Sequence, residues 1–183
     1  YSNNAQLILN NMLFITNNVI SEFTGKGGAV YSNSYAIVKN SVFLDNTVET
    51  TYANNSHIAK GGALCIEATG NISDSFFKDN SATALYSEAE GGAIYCTSNL
   101  TIYHSVFLTN HAKTRGGAIR TSNASYIRNC LITRNSAVYG GGAFLNLYTD
   151  ILNTTIACNI AYSFSGFIWV ENTSTTYTIT NAI

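Results

Sequence analysis

The sequence predicts an all-β chain folded as a right-handed parallel β-helix. This is a solenoid of about six to seven rungs of roughly 25 residues each, with variable loops at one corner. Two alternating motifs and their spacing carry that reading. Gly-Gly, a small residue and an aliphatic recur at Gly27-Gly28-Ala29-Val30, Gly61-Gly62-Ala63-Leu64, Gly91-Gly92-Ala93-Ile94, Gly116-Gly117-Ala118-Ile119 and Gly141-Gly142-Ala143-Phe144, with a degenerate copy at Ser165-Gly166-Phe167-Ile168. Between them, a large apolar residue precedes Asn by three positions: Phe14 and Asn17, Phe43 and Asn46, Phe77 and Asn80, Phe107 and Asn110, Ile132 and Asn135, Ile156 and Asn159. From the second Gly to the next large apolar residue is 15 positions four times running and then 14, whereas from the Asn to the next Gly pair is 10, 15, 11, 6 and 6. One half of each unit is therefore held in register, and insertions leave at one corner after the Asn.

Each element of the fixed half follows from alternation. Val30, Leu64, Ile94, Ile119, Phe144 and Ile168 hold one inward position after the Gly pair. Leu9, Val38, Ile72, Ile102, Ile127 and Ile151 hold another, five residues before the large apolar position. Three residues before the large apolar position runs a polar column: Asn11, Asn40, Asp74, His104, Asn129 and Asn153. Segments this short and alternating are strands, and with the Gly-Gly strand they make three faces per turn. The structural ladder of Asn17, Asn46, Asn80, Asn110, Asn135 and Asn159 is expected at bends, because Asn tolerates the left-handed conformation. The Gly pair would open a strand after a tight corner where positive φ is needed. A β-sandwich with coincidental glycines is the alternative.

Composition agrees. Apolar residues are 46% and charged residues 10%, so a core is affordable while the polar surface must come from Asn, Ser, Thr and Tyr. Net charge is -1, which leaves no basic stripe for nucleic acid or anionic lipid. No apolar run approaches the roughly 20 residues of a helical membrane span. Proline is absent, as an uninterrupted backbone ladder requires. Residues 1–183 are expected to be a single β-helix segment, uncapped at both ends and part of a longer chain or filament, because neither end carries a polar cap.

The Gly-Gly-Ala-aliphatic and Phe-x-x-Asn motifs, over about residues 5–183, resemble the repeats of the chlamydial polymorphic outer membrane proteins. They are also similar to the β-helical adhesin-like surface proteins of methanogens. The later copies drift, with Ile132 and Ile156 in place of Phe. The resemblance implies extracellular or cell-surface display, or adhesion.

Several residues invite chemistry. Six Asn-x-Ser/Thr sequons stand at Asn54, Asn71, Asn99, Asn123, Asn153 and Asn172. Four of them (Asn71, Asn99, Asn123 and Asn172) follow the Gly pair by six to nine residues, so N-linked glycans in a eukaryotic source could sheath one corner. Asp45 and Asp79 share a position in neighbouring rungs and are the weak candidates for a carboxylate pair in a polysaccharide lyase or hydrolase, with Lys78 beside them. The same acids could instead hold calcium. Cys65, Cys96, Cys130 and Cys158 match no zinc spacing. Cys65 and Cys96 are one position out of phase, which argues against their bridging and leaves free buried thiols or some other pairing. His57, His104 and His111 do not cluster, and Arg115, Arg120, Arg128 and Arg134 could form a small anion-binding patch. Tyr31, Cys65, Tyr95, Arg120, Leu145 and Trp169 should face outward along one flank, either sticky or covered by the loop of residues 47–59 that contains Tyr52.

The expected function is that of a rigid extracellular spacer or filament segment, self-associating end to end or laterally, without cofactor or metal. The alternative is an adhesin that binds through the loops at residues 18–26, 47–60 and 81–90. A polysaccharide-degrading enzyme is the third reading.

Overall fold

The structure, a computed structural model, describes residues 5–51, 57–170 and 177–181. Its strands stack in parallel, each pairing with the equivalent strand of the rungs above and below. The first wall has seven strands (Gln6–Asn10, Tyr35–Lys39, Gly70–Ser73, Leu100–Tyr103, Ser125–Arg128, Thr149–Leu152, Tyr177–Thr180). The second wall has six (Leu13–Ile15, Val42–Leu44, Phe76–Lys78, Val106–Leu108, Leu131–Thr133, Thr155–Ala157). The third, which follows the glycines, also has six (Val30–Ser32, Leu64–Ile66, Ile94–Cys96, Ile119–Thr121, Ala143–Leu145, Ile168–Val170). The chain is thus a parallel β-helix.

The core between these walls is built from columns of one side-chain type. Phe14, Phe43, Phe77 and Phe107 stack face to face, with centroids 4.8, 4.7 and 4.9 Å apart. That spacing is the distance between hydrogen-bonded strands, so each ring inherits its partner from the backbone. Ile72, Ile102, Ile127 and Ile151 fill the first wall's inner face, and Leu64, Ile94 and Ile119 the third's.

The expected three faces become four. Directly after each Asn the chain forms a further strand, and these six (Asn18–Ser21, Thr47–Thr50, Ser81–Ala84, His111–Ala112, Ser136–Ala137, Ile160–Ala161) make a lateral sheet. The insertions expected to begin as loops therefore begin as strands. In two rungs they also end as strands, where Ala59–Lys60 pairs with Ala89–Glu90. A thin second core of Val48, Ala59, Ala82, Ala84 and Ala89 lies between. Only small side chains fit so narrow a gap.

The glycines make the crossing possible. A Cβ on Gly92 would lie 2.0 Å from the Gly117 carbonyl oxygen and 2.5 Å from the backbone of His111, so the returning chain passes in direct backbone contact with the lateral strand. The residue before it, Gly91, has φ of +68°. This geometry corrects the fifth copy: the positive φ belongs to Gly140, and Ala143, not Phe144, pairs with Ile119 and Ile168. Counted from Gly141, the spacing to Ile156 returns to 15, as in every other rung.

The left-handed residues also differ from expectation. The polar column Asn11, Asn40, Asp74, His104, Asn129 and Asn153 does adopt φ of 45 to 55°. In the second column the residue before the ladder Asn takes that conformation: Thr16, Asp45, Asp79, Thr109, Arg134 and Cys158. The ladder Asn itself turns inward to bond along the stack.

Candidate functional site

Two ladders close the corners on either side of the second wall. In the Asn ladder, the backbone N–H and the Nδ2 of Asn46 both donate to Oδ1 of Asn80, at 3.1 and 2.9 Å. Asn80 repeats this toward Asn110 at 3.0 and 2.9 Å, Asn110 toward Asn135, and Asn135 toward Asn159. The spare Nδ2 proton reaches the previous rung's carbonyl, as from Asn80 to Phe43 O at 3.0 Å. Asn46, Asn80, Asn110 and Asn135 are fully buried. Only a side chain with two donors and an acceptor on a short stem completes this pattern, since Asp lacks the donors.

The second ladder runs along Ser41, Ser75 and Ser105, which the sequence marks as a serine just before each of three second-wall strands. Each hydroxyl donates to the carbonyl two residues back at 2.7 Å and, for Ser75 and Ser105, accepts the N–H of the preceding rung's serine at 3.2 Å. Cys130 continues this column, its thiol donating to Arg128 O at 3.2 Å. Cys96 closes another corner, donating to Ala68 O and Ser98 O at 3.3 and 3.4 Å. Burial pushes the thiols of Cys65 up to about 12 and of Cys96 and Cys130 up to about 11, which leaves them protonated and unreactive at neutral pH. All four cysteines are free thiols; Cys158 is exposed.

The chemically varied surface is the outer side of the third wall. Its outward column is Tyr31, Cys65, Tyr95, Arg120, Phe144 and Trp169, with Phe144 where Leu145 was expected. Tyr95, Arg120 and Phe144 are buried, at 7%, 8% and 2% exposure, so most of this flank is covered. The cover comes from the residue just before each first glycine position: Lys26, Lys60, Glu90, Arg115, Tyr139 and Phe164. Lys26, Lys60, Glu90, Arg115 and Tyr139 are bridged in parallel from rung to rung. Tyr52 lies outside the described residues.

This cover changes along the stack. Lys26 lies over the Tyr31 ring at 4.9 Å and pairs with Glu67 at 2.7 Å, while the Tyr31 hydroxyl donates to the same carboxylate at 2.8 Å. Partial burial pushes the Glu67 carboxyl up, but the hydrogen bonds from Lys26 and Tyr31 outweigh it and hold Glu67 below its ordinary range. The bond to Glu67 likewise raises Lys26. Lys60 lies over Tyr95 at 5.0 Å. Next, Arg115 pairs with Glu88 and with buried Glu90, both at 2.5 Å, and Arg120 Nε lies 3.5 Å from Glu90. Both guanidiniums cover Phe144, at 5.7 and 4.8 Å from its centroid. In the last rungs the charges give way to rings: Tyr139 stacks on Phe164 at 5.2 Å, and Phe164 lies 4.4 Å from Trp169.

The remaining predicted residues are dispersed. Asp45 and Asp79 sit at left-handed corner positions outside the second wall, where Asp79 accepts from Thr109 Oγ1 and lies 3.3 Å from Lys78 Nζ. Their shared position is thus explained by backbone conformation. Asn71 lies within a first-wall strand opposite Thr101, not at a corner, while Asn99 and Asn123 precede such strands at different register positions. These sequons therefore do not stack in one column. Asn153 is a left-handed corner residue that accepts from Asn181 Nδ2 at 3.1 Å, whereas Asn54 and Asn172 lie outside the described residues. His104 occupies the corner column, 3.5 Å from Asp74, and His111, in the lateral sheet, meets Ser136 Oγ at 2.9 Å. Of the four arginines, Arg128 pairs with Asp150, which leaves Arg134 at an exposed corner. Among the described residues, no three His, Cys, Asp or Glu converge as metal ligands, and no helix is long and apolar enough to cross a membrane, which says nothing of a β-barrel.

Residues 74–97 match the model of the Chlamydia polymorphic membrane protein (Chlamydia_PMP) repeat. That segment runs from one left-handed corner, through Phe77 and Asn80, to the third-wall strand at Ile94–Cys96. The chain is also 33% identical, over 141 residues, to a probable outer membrane protein pmp7 of Chlamydia pneumoniae. That alignment covers 68% of this chain and 14% of the relative, so the chain spans about a seventh of the protein it matches. No solved structure matches it. The chain resembles the chlamydial polymorphic membrane proteins in its repeat sequence.

Proposed function

We propose that this chain is a rigid, non-enzymatic spacer segment of a surface repeat protein, displayed at an outer membrane. The observation that carries the reading is the unbroken Asn ladder from Asn17 to Asn159. A stack whose rungs are tied to one another through the same Asn–Asn bonds, fully buried in its middle, has little freedom to bend, which suits holding other surfaces at a fixed distance. The outer membrane name of the similar chlamydial protein supports the location. Self-association of such segments, laterally or end to end, belongs to the same reading.

Protease treatment of intact cells that make the parent protein tests the display. Cleavage within this segment without lysis is the expected result, and protection until lysis contradicts it. Electron micrographs of the parent protein test the spacer: removing one unit, such as residues 75–104, should shorten the rod by about 4.8 Å per rung.

A second reading is favoured by the lateral sheet. The segments at residues 18–26, 47–60 and 81–90 differ in length while the rungs beneath them do not, as expected of adhesin loops on a constant scaffold. Shortening all three to the length of residues 111–115 should abolish cell binding while the second-wall strands keep their hydrogen-exchange protection. Unaltered binding refutes it.

A further inference from the structure

The covered flank opens at its far end. Beyond Arg115 the covering column continues as Tyr139 and Phe164 instead of charged residues, and the wall beneath continues as Phe144 and Trp169. Together with Arg115, these four rings line a pocket of about 170 Å³. A cavity of about 150 Å³ accommodates one six-membered ring. Phe164 is 52% exposed and Trp169 partly exposed, so ring surface is open to solvent at the pocket.

The charges around the pocket select among ring-shaped ligands. Arg115 and Arg120 are balanced by Glu88 and Glu90. A quaternary ammonium, the usual guest of an aromatic cage, would meet the Arg115 guanidinium at the pocket wall. An anion would find that guanidinium already held by two carboxylates at 2.5 Å. A neutral ring remains. The polar groups of the pocket's lining residues, the Arg115 guanidinium and the Tyr139 hydroxyl, suit hydroxyl partners, while the rings suit a C–H surface. A pyranose presents both: an apolar face of axial hydrogens and an equatorial edge of hydroxyls.

We infer that the pocket formed by Arg115, Tyr139, Phe144, Phe164 and Trp169 binds a single neutral pyranose ring, packed against the Phe164 and Trp169 rings. The ring is either a free sugar or the terminal residue of a longer glycan. This site is separate from the spacer role and does not depend on it.

Trp169 is the chain's single tryptophan, so its fluorescence reports this pocket alone. The 183-residue chain would be titrated with methyl glycosides of glucose, galactose and N-acetylglucosamine and with their oligosaccharides, and in parallel with glucuronate and tetramethylammonium. A saturable change with at least one neutral glycoside is expected, weakened about tenfold in Phe164→Ala, a loss of about 1.4 kcal/mol. Saturation by monosaccharides points to free sugar, and saturation by oligosaccharides alone points to a glycan terminus. Saturation-transfer NMR on the unaltered chain should mark the axial C–H face, a measurement that needs no variant. No saturable response to any neutral saccharide, a response to tetramethylammonium or glucuronate instead, or unchanged affinity in a folded Phe164→Ala would overturn the inference.

Discussion

The two sides of each rung are built on opposite rules. On the side of the second wall, like follows like along each column: Asn on Asn throughout, Phe on Phe until Ile132 and Ile156, Ser on Ser until Cys130. On the lateral side the glycines and a column of small residues repeat, and the covering side chains run from lysine over tyrosine, through an arginine–glutamate cluster, to a group of aromatic rings. Identical side chains stack well only when their partners are identical and in register, so the first side tolerates little change. The second side is held by backbone contact at the glycines, which leaves its side chains free to diverge.

The largest effect is therefore expected at the Asn ladder. Asn80→Ala removes the acceptor of the Asn46 N–H and of one Nδ2 proton of Asn46, and a donor to the carbonyl of Phe43, in a dry interior, and should cost about 5 kcal/mol by urea denaturation. Phe77→Ala, in the middle of the ring stack, should cost about 4 kcal/mol in the same assay. Gly92→Ala tests the constant element of the varied side. Its methyl would meet backbone rather than yielding side chains, and a loss of about 3 kcal/mol is expected.

Smaller effects should mark the flank. Glu67 is held below its ordinary range, so its contribution is full above the unfolded carboxyl value and disappears as pH falls through the folded one. For so exposed a pair that contribution should stay below about 1 kcal/mol, read as the pH-dependent part of the difference between the chain and Glu67→Gln. Asp79→Asn should change stability by no more than about 0.5 kcal/mol, because Asn suits a left-handed corner as well as Asp does.

The legibility of the sequence divides along the same line. Phe43, Phe77, Asn46 and Asn80 announced the stack because repetition at fixed spacing is visible in one dimension. The fifth glycine copy misled because Gly140-Gly141-Gly142 offers two pairs, and only backbone conformation selects Gly140 for positive φ. Asp45 and Asp79 resembled a catalytic pair because a left-handed corner and a carboxylate site draw on the same residue types. The lateral sheet was hidden by insertions of unequal length, although Val48, Ala82, Ala112 and Ala137 hold one small-residue column within it. The covering column from Lys26 to Phe164 could have been found by reading one position before each glycine. Its residues share a place and no chemistry, so no motif marks them.

Native-state hydrogen exchange tests the contrast most directly. Amides of the second-wall strands and of Asn46, Asn80 and Asn110 should exchange only through global unfolding, while those of Ala59–Lys60 and Ala89–Glu90 should exchange through local opening at much lower free energy. Equal protection on both sides, or greater protection in the lateral pair, would contradict the division between a uniform, rigid stack and a variable flank.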